Sequence, residues 1–296
     1  EVIPLIEMVD GEYRANAEAL AFIRSHKRRF GVIACAGKYR TGKSFMLNKL
    51  TNASPGFGVG ESVNACTKGL WIAKSFYRVS EDMDALFIDT EGLDALDAND
   101  DSDVRIFTLA LMLSSSFVYN STGHIDEQSL STLGLMTRVT DTIKANNAEV
   151  LTEHTPAFHW VLRDFSLRIE DKAGNAIDNA TYLDNALGAT SDASRDATRN
   201  SIRTFFGSRH LHTLPRPAQS DTVVDINSKP WLLSARFHEA IEGLRTALFE
   251  SLSPFCADGK AVTGSMYAEL CEHLATRAKS NIPILRDAWT LMMAVG

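Results

Sequence analysis

No stretch of this 296-residue chain is long and apolar enough to cross a bilayer as a helix. The longest nearly apolar segment, Phe107 to Tyr119, contains three serines and falls short of the roughly 20 residues a spanning helix needs. No secretory signal opens the chain, so membrane association is not visible in these residues. Cysteine is scarce: Cys35, Cys66, Cys256 and Cys271 show no CxxC spacing. Cys35 lies in an apolar run that reads as a buried strand, which points to free thiols in a reducing, cytoplasmic compartment rather than a disulfide framework. Positive charge is also short, with 30 Lys and Arg against 37 Asp and Glu, a net charge of −7; this argues against a general nucleic-acid partner. The basic run His26-Lys27-Arg28-Arg29 is brief and is expected to cap a helix C-terminus, where cations suit the dipole. No internal repeat or low-complexity tract stands out.

With 45% hydrophobic and 23% charged residues, the composition is that of a globular protein with ample core material. Such a length accommodates one large α/β domain plus an appendage. The chain begins at Glu1 and ends inside an apolar segment, Ala288 to Val295, as expected of a fragment of a longer protein.

The densest chemical signal is Gly37-Lys38-Tyr39-Arg40-Thr41-Gly42-Lys43-Ser44, a full match to GxxxxGK[ST]. It follows the apolar run Val32 to Ala36 and opens the helical stretch Phe45 to Leu50. That strand–loop–helix setting is what the motif requires. The glycines allow the backbone to curl into a nest of N–H donors, and the helix N-terminus adds partial positive charge. Lys43 can reach the outer phosphates of a nucleoside triphosphate, and the Ser44 hydroxyl can bind Mg2+. A second element supports the first: Ala85 to Ile88 is a short apolar run ending in Asp89-Thr90-Glu91-Gly92, a DxxG sequence. A buried strand that delivers Asp89 at its carboxyl end suits Mg2+-bound water, and the Gly92 amide suits a γ-phosphate. Alone, DxxG would read as a turn.

Periodicity predicts a helix over 14–28, a core strand over 30–36, and the phosphate-loop helix. A glycine-rich loop over 54–60 follows, then a hairpin of runs 69–79 and 83–89, and an acidic loop over 94–103. Beyond it come a helix over 104–112, a strand over 116–120, helical spacing over 125–146, and a buried strand over 158–162. The remainder reads as helices over 181–187 and 198–206, an edge strand over 210–214, a long connection over 215–230, and helices over 234–251, 264–280 and 282–295. The expected fold is α/β of P-loop NTPase type, a mostly parallel sheet flanked by helices, with ligand at the strands' carboxyl ends. The expected division is a large G domain over 1–255 and the start of an α-helical region over 256–296.

Taken together, these segments resemble the guanylate-binding proteins, large GTPases of the dynamin superfamily. Tyr39 to Ser44 is similar to the family's YRTGKS loop, Thr67-Lys68-Gly69-Leu70-Trp71 to its first switch, and Asp89 to Leu93 to its second. Ser114 to Ser121 resembles a core strand of the family, Leu162 to Leu167 its arginine–aspartate pair, and Ile282-Pro283 the entry to its helical region. The resemblance spans almost the whole chain. It implies GTP and GDP as ligands, Mg2+ as cofactor, and nucleotide-dependent homodimerisation through the nucleotide face.

No [NT]KxD guanine reader is present. A carboxylate at a strand end can accept hydrogen bonds from the guanine N1–H and exocyclic amine, which adenine cannot supply. On the residues alone, Asp164 reads equally as that carboxylate or as half of a surface ion pair; the resemblance favours guanine, with Arg163 stacking on or fencing the base. The 215–230 connection then resembles a guanine cap, with Arg216 a contributor. DxxG is followed by Leu93 rather than a water-orienting glutamine. The resemblance implies that Arg40, inside the loop, acts as an arginine finger in cis; otherwise it would face solvent or pair with an acid. It further implies that Thr67 joins Ser44 and Asp89 around Mg2+, that Glu91 organises water near the γ-phosphate, and that Phe45, Val59, Gly60 and Glu61 border the nucleotide along with residues 37–44 and 89–93.

The sequence departs from the family at Ala65, where members often carry a serine. Hydrolysis to GDP is expected to persist, at an unchanged or lower rate; onward cleavage to GMP is left open. The rival of another class is a nucleotide-holding scaffold that barely hydrolyses, and a small-molecule kinase would need a lid arginine cluster that is not seen. His210 and His212 would share a strand face but lack a Cys or Glu partner at metal-like spacing, so they read as unligated. His159 beside Trp160 reads as core, and Ser114 to Ser116 as strand packing rather than a nucleophile elbow.

Overall fold

Alternating apolar runs and amphipathic stretches build a mixed sheet with helices on both faces. The computed structural model describes residues 1–38, 41–52, 56–58, 69–91, 101–134, 155–171, 173–190, 192–218, 230–257 and 259–278. The first half of the chain forms β1 (Val2–Val9), β2 (Glu12–Ala15), α1 (Ala17–Ser25), β3 (Arg29–Gly37), α2 (Lys43–Thr51), β4 (Gly69–Ala73), β5 (Tyr77–Arg78), β6 (Met83–Glu91), α3 (Asp101–Met112), β7 (Ser116–Thr122) and α4 (Glu127–Thr132). The second half forms β8 (Ala157–Arg163), α5 (Asn179–Ala186), α6 (Ala193–Phe205), β9 (Arg209–Thr213), α7 (Ala235–Ser251), the short pair β10 (Cys256–Ala257) and β11 (Lys260–Ala261), and α8 (Gly264–Arg277).

One sheet takes the order β2-β1-β4-β6-β3-β7-β8-β9, with β5 beside β6. The block from β6 to β9 is parallel, and β4, β1 and β2 extend it antiparallel. The expected α/β fold with a mostly parallel sheet is therefore found, and β9 lies at the edge as expected. The 69–89 hairpin is also present, since β4 and β5 both pair antiparallel with β6.

Side-chain alternation divides the core. From β3, Val32, Ala34 and Ala36 face one layer with Phe107 of α3 and Tyr267 of α8. Ile33 and Cys35 face the other, with Met46 and Leu50 of α2 and Phe237, Ile241 and Leu244 of α7. Because β3 is covered on both sides, it reads as a continuous apolar run, the signature of a central parallel strand.

The first helix is a correction. Residues 14–15 belong to β2, and α1 starts only at Ala17, capped by Asn16, whose side chain accepts from the Glu18 and Ala19 amides. The turn Asp10-Gly11 has φ of 53° and 79° and joins Val9 to Glu12 directly across the hairpin. Two positive φ values in a two-residue loop are what a twisted antiparallel pair needs. Nor does the basic run cap α1 with its side chains. His26 and Arg28 instead reach Asp84 at the start of β6, at 3.3 and 3.0 Å, while the His26 backbone N–H closes the helix on the Ile23 carbonyl.

Helix α7 fixes the phosphate-loop helix from behind: Arg245 donates from Nε to the Leu50 carbonyl and from Nη2 to that of Lys49, both at 2.7 Å. A guanidinium there satisfies terminal carbonyls and suits the negative end of the α2 dipole. Helix α8 packs on α1 and β2, with Arg24 bonded to Glu269 at 2.7 Å. No helix among the described residues is long and apolar enough to cross a membrane. The expected helix over 125–146 is described only through α4, and residues 135–150 and 282–295 lie outside the described residues.

Candidate functional site: a phosphate loop at the carboxyl end of the sheet

Strand register brings the carboxyl ends of four strands together. Cys35 of β3 pairs with Asp89 of β6, Gly37 with Asn120 of β7, and Thr122 of β7 with Arg163 of β8. The phosphate loop leaves β3 at this end. Gly37 has φ of 153°, and a Cβ there would run into the Asn120 carbonyl oxygen, so both conformation and space demand glycine. Gly42 has φ of 76°, immediately before α2, and a Cβ on it would stand 3.1 Å from the Arg163 guanidinium.

Lys43 and Ser44 occupy the first turn of α2, where backbone amides and the dipole favour an anion. Lys43 is buried, and its Nζ donates to the Lys38 carbonyl at 3.0 Å. Thr41 donates from Oγ1 to the same carbonyl at 2.7 Å. Ser44 donates from Oγ to Asp89 Oδ2 at 2.6 Å, which joins the loop to the DxxG strand. Asp89 is 1% exposed, and Thr90 next to it donates to the Cys35 carbonyl at 3.0 Å. A serine hydroxyl and a carboxylate held this close form the hard-oxygen donor set that suits Mg2+, a cation that keeps waters and takes phosphate oxygens for its other ligands. Phe45 is buried behind the loop, 5.8 Å from the Arg163 guanidinium carbon.

At the end of β8 the arginine–aspartate pair splits. Asp164 is exposed and left-handed, with φ of 55°, a conformation that occurs at functional positions. Arg163 turns inward, 4% exposed, and donates from Nη1 to the Gly42 carbonyl at 2.9 Å. Its guanidinium is expected at the base by resemblance; the side chain instead lies under the phosphate loop. Burial pushes its pKa down, opposed by the nearby Asp164 carboxylate. Phe165, just past β8, donates its N–H to the carbonyl of Leu214, just past β9, at 3.0 Å, so the exposed Arg216 follows on a segment adjacent to that bearing Asp164.

The structure thus gathers Gly37, Lys38, Thr41, Gly42, Lys43, Ser44, Phe45, Asp89 and Thr90 at one sheet end, with Asp164 and Arg216 at its rim. Of the remaining expected residues, Tyr39, Arg40, Val59, Gly60, Glu61, Thr67, Gly92 and Leu93 lie outside the described residues, as does the side chain of Glu91. Sequence reasoning missed Asn120. Fully buried in β7, it donates from Nδ2 to both the Thr41 carbonyl, 3.1 Å, and Thr41 Oγ1, 2.8 Å. A carboxamide directly after the apolar run Phe117-Val118-Tyr119, still within the buried part of the strand, is the signal that could have found it.

Away from this end, His159 is buried as expected, and its ring stacks on those of His210 and His212 at centroid distances of 4.6 and 5.2 Å. No cluster of three or more His, Cys, Asp or Glu among the described residues could hold a metal ion. Cys35, Cys256 and Cys271 are free thiols, and burial pushes the Cys35 pKa upward.

A loop of this form, between a central parallel strand and its helix and closed by an aspartate from the neighbouring strand, defines a P-loop nucleotide-binding fold. Comparison with known proteins narrows the class. The family model described as guanylate-binding protein, N-terminal domain, matches residues 10–253. Guanylate-binding protein 2 of Homo sapiens is 35% identical over 72% of this chain and 39% of its own length. The Mus musculus protein 2 is 34% identical over 74% and 40%, and guanylate-binding protein 1 of Chlorocebus aethiops is 32% identical over 86% and 44%. The chain belongs to the guanylate-binding protein family, and it spans about two fifths of the length of these relatives.

Proposed function

We propose that this chain binds guanine nucleotide with Mg2+, hydrolyses GTP to GDP, and pairs with a second copy through its nucleotide face. The observation that carries this reading is the 2.6 Å bond from Ser44, the last residue of a complete phosphate-loop motif, to Asp89 on β6. It unites the hydroxyl and the carboxylate that a magnesium-dependent phosphoryl-transfer site requires.

The amides of residues 37–44 and the Lys43 ammonium take the phosphates. Ser44 and Thr67 serve as cation ligands and Asp89 holds water in the cation's shell; Mg2+, when bound, neutralises phosphate charge. Arg40 is the finger supplied in cis, meeting charge that spreads over phosphate oxygens during transfer. Glu91 orders the attacking water and Gly92 donates to the γ-phosphate. Tyr39, Phe45, Val59, Gly60, Glu61, Thr90 and Leu93 border the nucleotide. Asp164, exposed at the end of β8, accepts from guanine, with Arg216 contributing from the cap; the relatives' name, guanylate-binding, supports that base. The reading keeps the G domain at 1–255 and takes the following segment as the start of a helical region, whose first described helix is α8 after the short β10–β11 pair, and it places the protein in a reducing compartment.

Calorimetry with GTP, GDP, GMP and ATP in the presence of Mg2+ tests the core of this reading. GTP should bind well ahead of ATP. Asp164→Asn should lower that preference tenfold or more, because a site built to pair with a polar edge rejects what leaves it unpaired. A wild-type chain that ignores GTP would end the proposal. Ala65, which brings no hydroxyl to the first switch, favours a second reading, a nucleotide-holding scaffold with little turnover. Single-turnover phosphate release measured across protein concentrations separates the two. Release that quickens with concentration supports hydrolysis with pairing, and absence of release supports the scaffold.

A further inference from the structure

Two buried polar side chains hold the phosphate loop from below, and neither is needed to complete the sheet. Asn120, on β7, is fully buried, and its two donor bonds both go to Thr41. Arg163, on β8, sends Nη1 to the Gly42 carbonyl. The register places both on the sheet face that carries α2: Asn120 pairs with Val161, whose side chain packs in the α2 layer, and Arg163 lies two residues further along the same strand.

Each side chain also carries an unmet group, since Asn120 Oδ1 and Arg163 Nε are buried with no hydrogen-bond partner among the described residues. A native fold rarely keeps such atoms, and burying them is costly unless the side chain does something an apolar residue could not. What these two do is bond to consecutive loop residues, 41 and 42. Thr41 passes the constraint on through its hydroxyl to the Lys38 carbonyl, the acceptor that also holds Lys43 Nζ. The chain of bonds therefore runs from two sheet strands, through the loop backbone, to the ammonium that meets the phosphates.

We infer that Asn120 and Arg163 are positioning residues: a two-strand brace that fixes the phosphate loop through Thr41 and Gly42, so that nucleotide affinity depends on side chains acting from beneath the loop. The inference rests on the nucleotide-binding reading above and assigns Arg163 to the phosphates rather than to the base. A brace of this kind acts on any ligand that fills the loop, so it changes affinity without changing which purine is preferred. Asp164, one residue on and exposed, does the opposite.

The test is GDP and ATP affinity by calorimetry on the 296-residue chain, with thermal melts alongside, for Asn120→Ala, Thr41→Val, their double variant, Thr41→Ser and Arg163→Lys. Wild-type GDP binding is measured first; a wild type that does not bind overturns both the nucleotide reading and the brace. Given binding, Asn120→Ala and Thr41→Val should each weaken GDP about tenfold, the loss of one buried hydrogen-bonded contact. The double variant should lose less than the product of the two single losses, since both remove the bond from Asn120 to the Thr41 hydroxyl. Thr41→Ser keeps the hydroxyl and should stay within about twofold of wild type. Arg163→Lys should weaken GDP and ATP by the same factor. Unchanged GDP affinity in Asn120→Ala, multiplying losses in the double variant, or a guanine preference that collapses in Arg163→Lys would each overturn the brace. Should Asn120→Ala fail to fold, the loop pair Thr41→Val and Thr41→Ser decides alone: equal affinities would refute the link.

Discussion

The two ends of the parallel sheet handle charge in opposite ways. At the amino end, charges close on one another. Asp84, near the start of β6, is met by the guanidinium groups of Arg28 at 3.0 Å and Arg78 at 3.2 Å; the His26 ring, whose pKa burial lowers, lies 3.3 Å away and stacks flat on Phe76 with centroids 3.6 Å apart. At the carboxyl end, charged groups are bonded to dipoles: Lys43 to the Lys38 carbonyl, Arg163 to that of Gly42, and Asp89 to the Ser44 hydroxyl. A charge matched by an opposite charge has little field left to offer. The buried Lys43 ammonium, held on a carbonyl dipole, keeps a field that a phosphate can meet, and in a low dielectric that field is strong. Asp84 and Asp89 sit five residues apart on one strand, so the contrast comes from neighbours rather than from residue type.

Asp89→Asn should break the comparison most visibly. The amide keeps the volume and can still accept from Ser44, but it no longer supplies negative charge. Steady-state GTP turnover with Mg2+ should fall about 10²-fold or more, the scale expected when a charge aligned with the transferring group is lost. Thermal stability should change by less than about 1 kcal/mol, since the hydrogen bond is retained. Undiminished turnover would place Asp89 with Asp84 as a structural residue.

Asp84→Asn should show the reverse pattern. Removing one side of a buried ion pair leaves the other charge uncompensated, a loss of about 3–5 kcal/mol when both are buried. Arg28 and Arg78 are 35% and 62% exposed, so solvent screens them and about 2 kcal/mol is the fitting expectation. Urea denaturation should register that loss while GDP affinity stays as in the wild type. A binding defect without a stability defect would dissolve the distinction between the two ends.

How much of this was legible beforehand follows the reach of each signal. The phosphate loop, the apolar strands β3 and β8, and the buried His159 are local patterns, and eight contiguous residues carried most of the chemistry. The hairpin of β1 and β2 was not foreseen, although Asp10-Gly11 between apolar runs writes it locally, and the helical spacing that follows drew the helix boundary three residues too early. Other features are not local at all. Asn120 meets Thr41 from 79 residues away, Arg163 meets Gly42 from 121, and Arg28 meets Asp84 from 56. Only the strand order β6-β3-β7-β8 creates those neighbours, and no period or spacing encodes it. The same holds for Arg163 and Asp164: adjacent letters suggest a shared task, whereas the left-handed turn at Asp164 separates a buried side chain from an exposed one.

The smallest effect concerns the amino end again, where three imidazoles take the place of ion pairs. His159 Nδ1 and His212 Nε2 stand 3.0 Å apart, and Ser251 Oγ lies 3.2 Å from His159 Nε2. Burial, reinforced by the neighbouring imidazoles, pushes the His159 pKa down to about 2 and that of His212 to about 4. In the unfolded chain each takes a proton near pH 6.5. Both folded values are depressed, so the unfolded state binds more protons once pH falls below about 6.5, and stability must decline with it. The decline should begin near that pH, level off for His212 near pH 4, and continue for His159 towards pH 2. From pH 7 to pH 6 the two together should cost about 1 kcal/mol, read as a drop in urea midpoint. His159→Phe should flatten part of that slope while leaving GDP affinity at pH 7 untouched. If the slope survives the substitution unchanged, acid sensitivity originates elsewhere, and the amino end balances its charge through Asp84 alone.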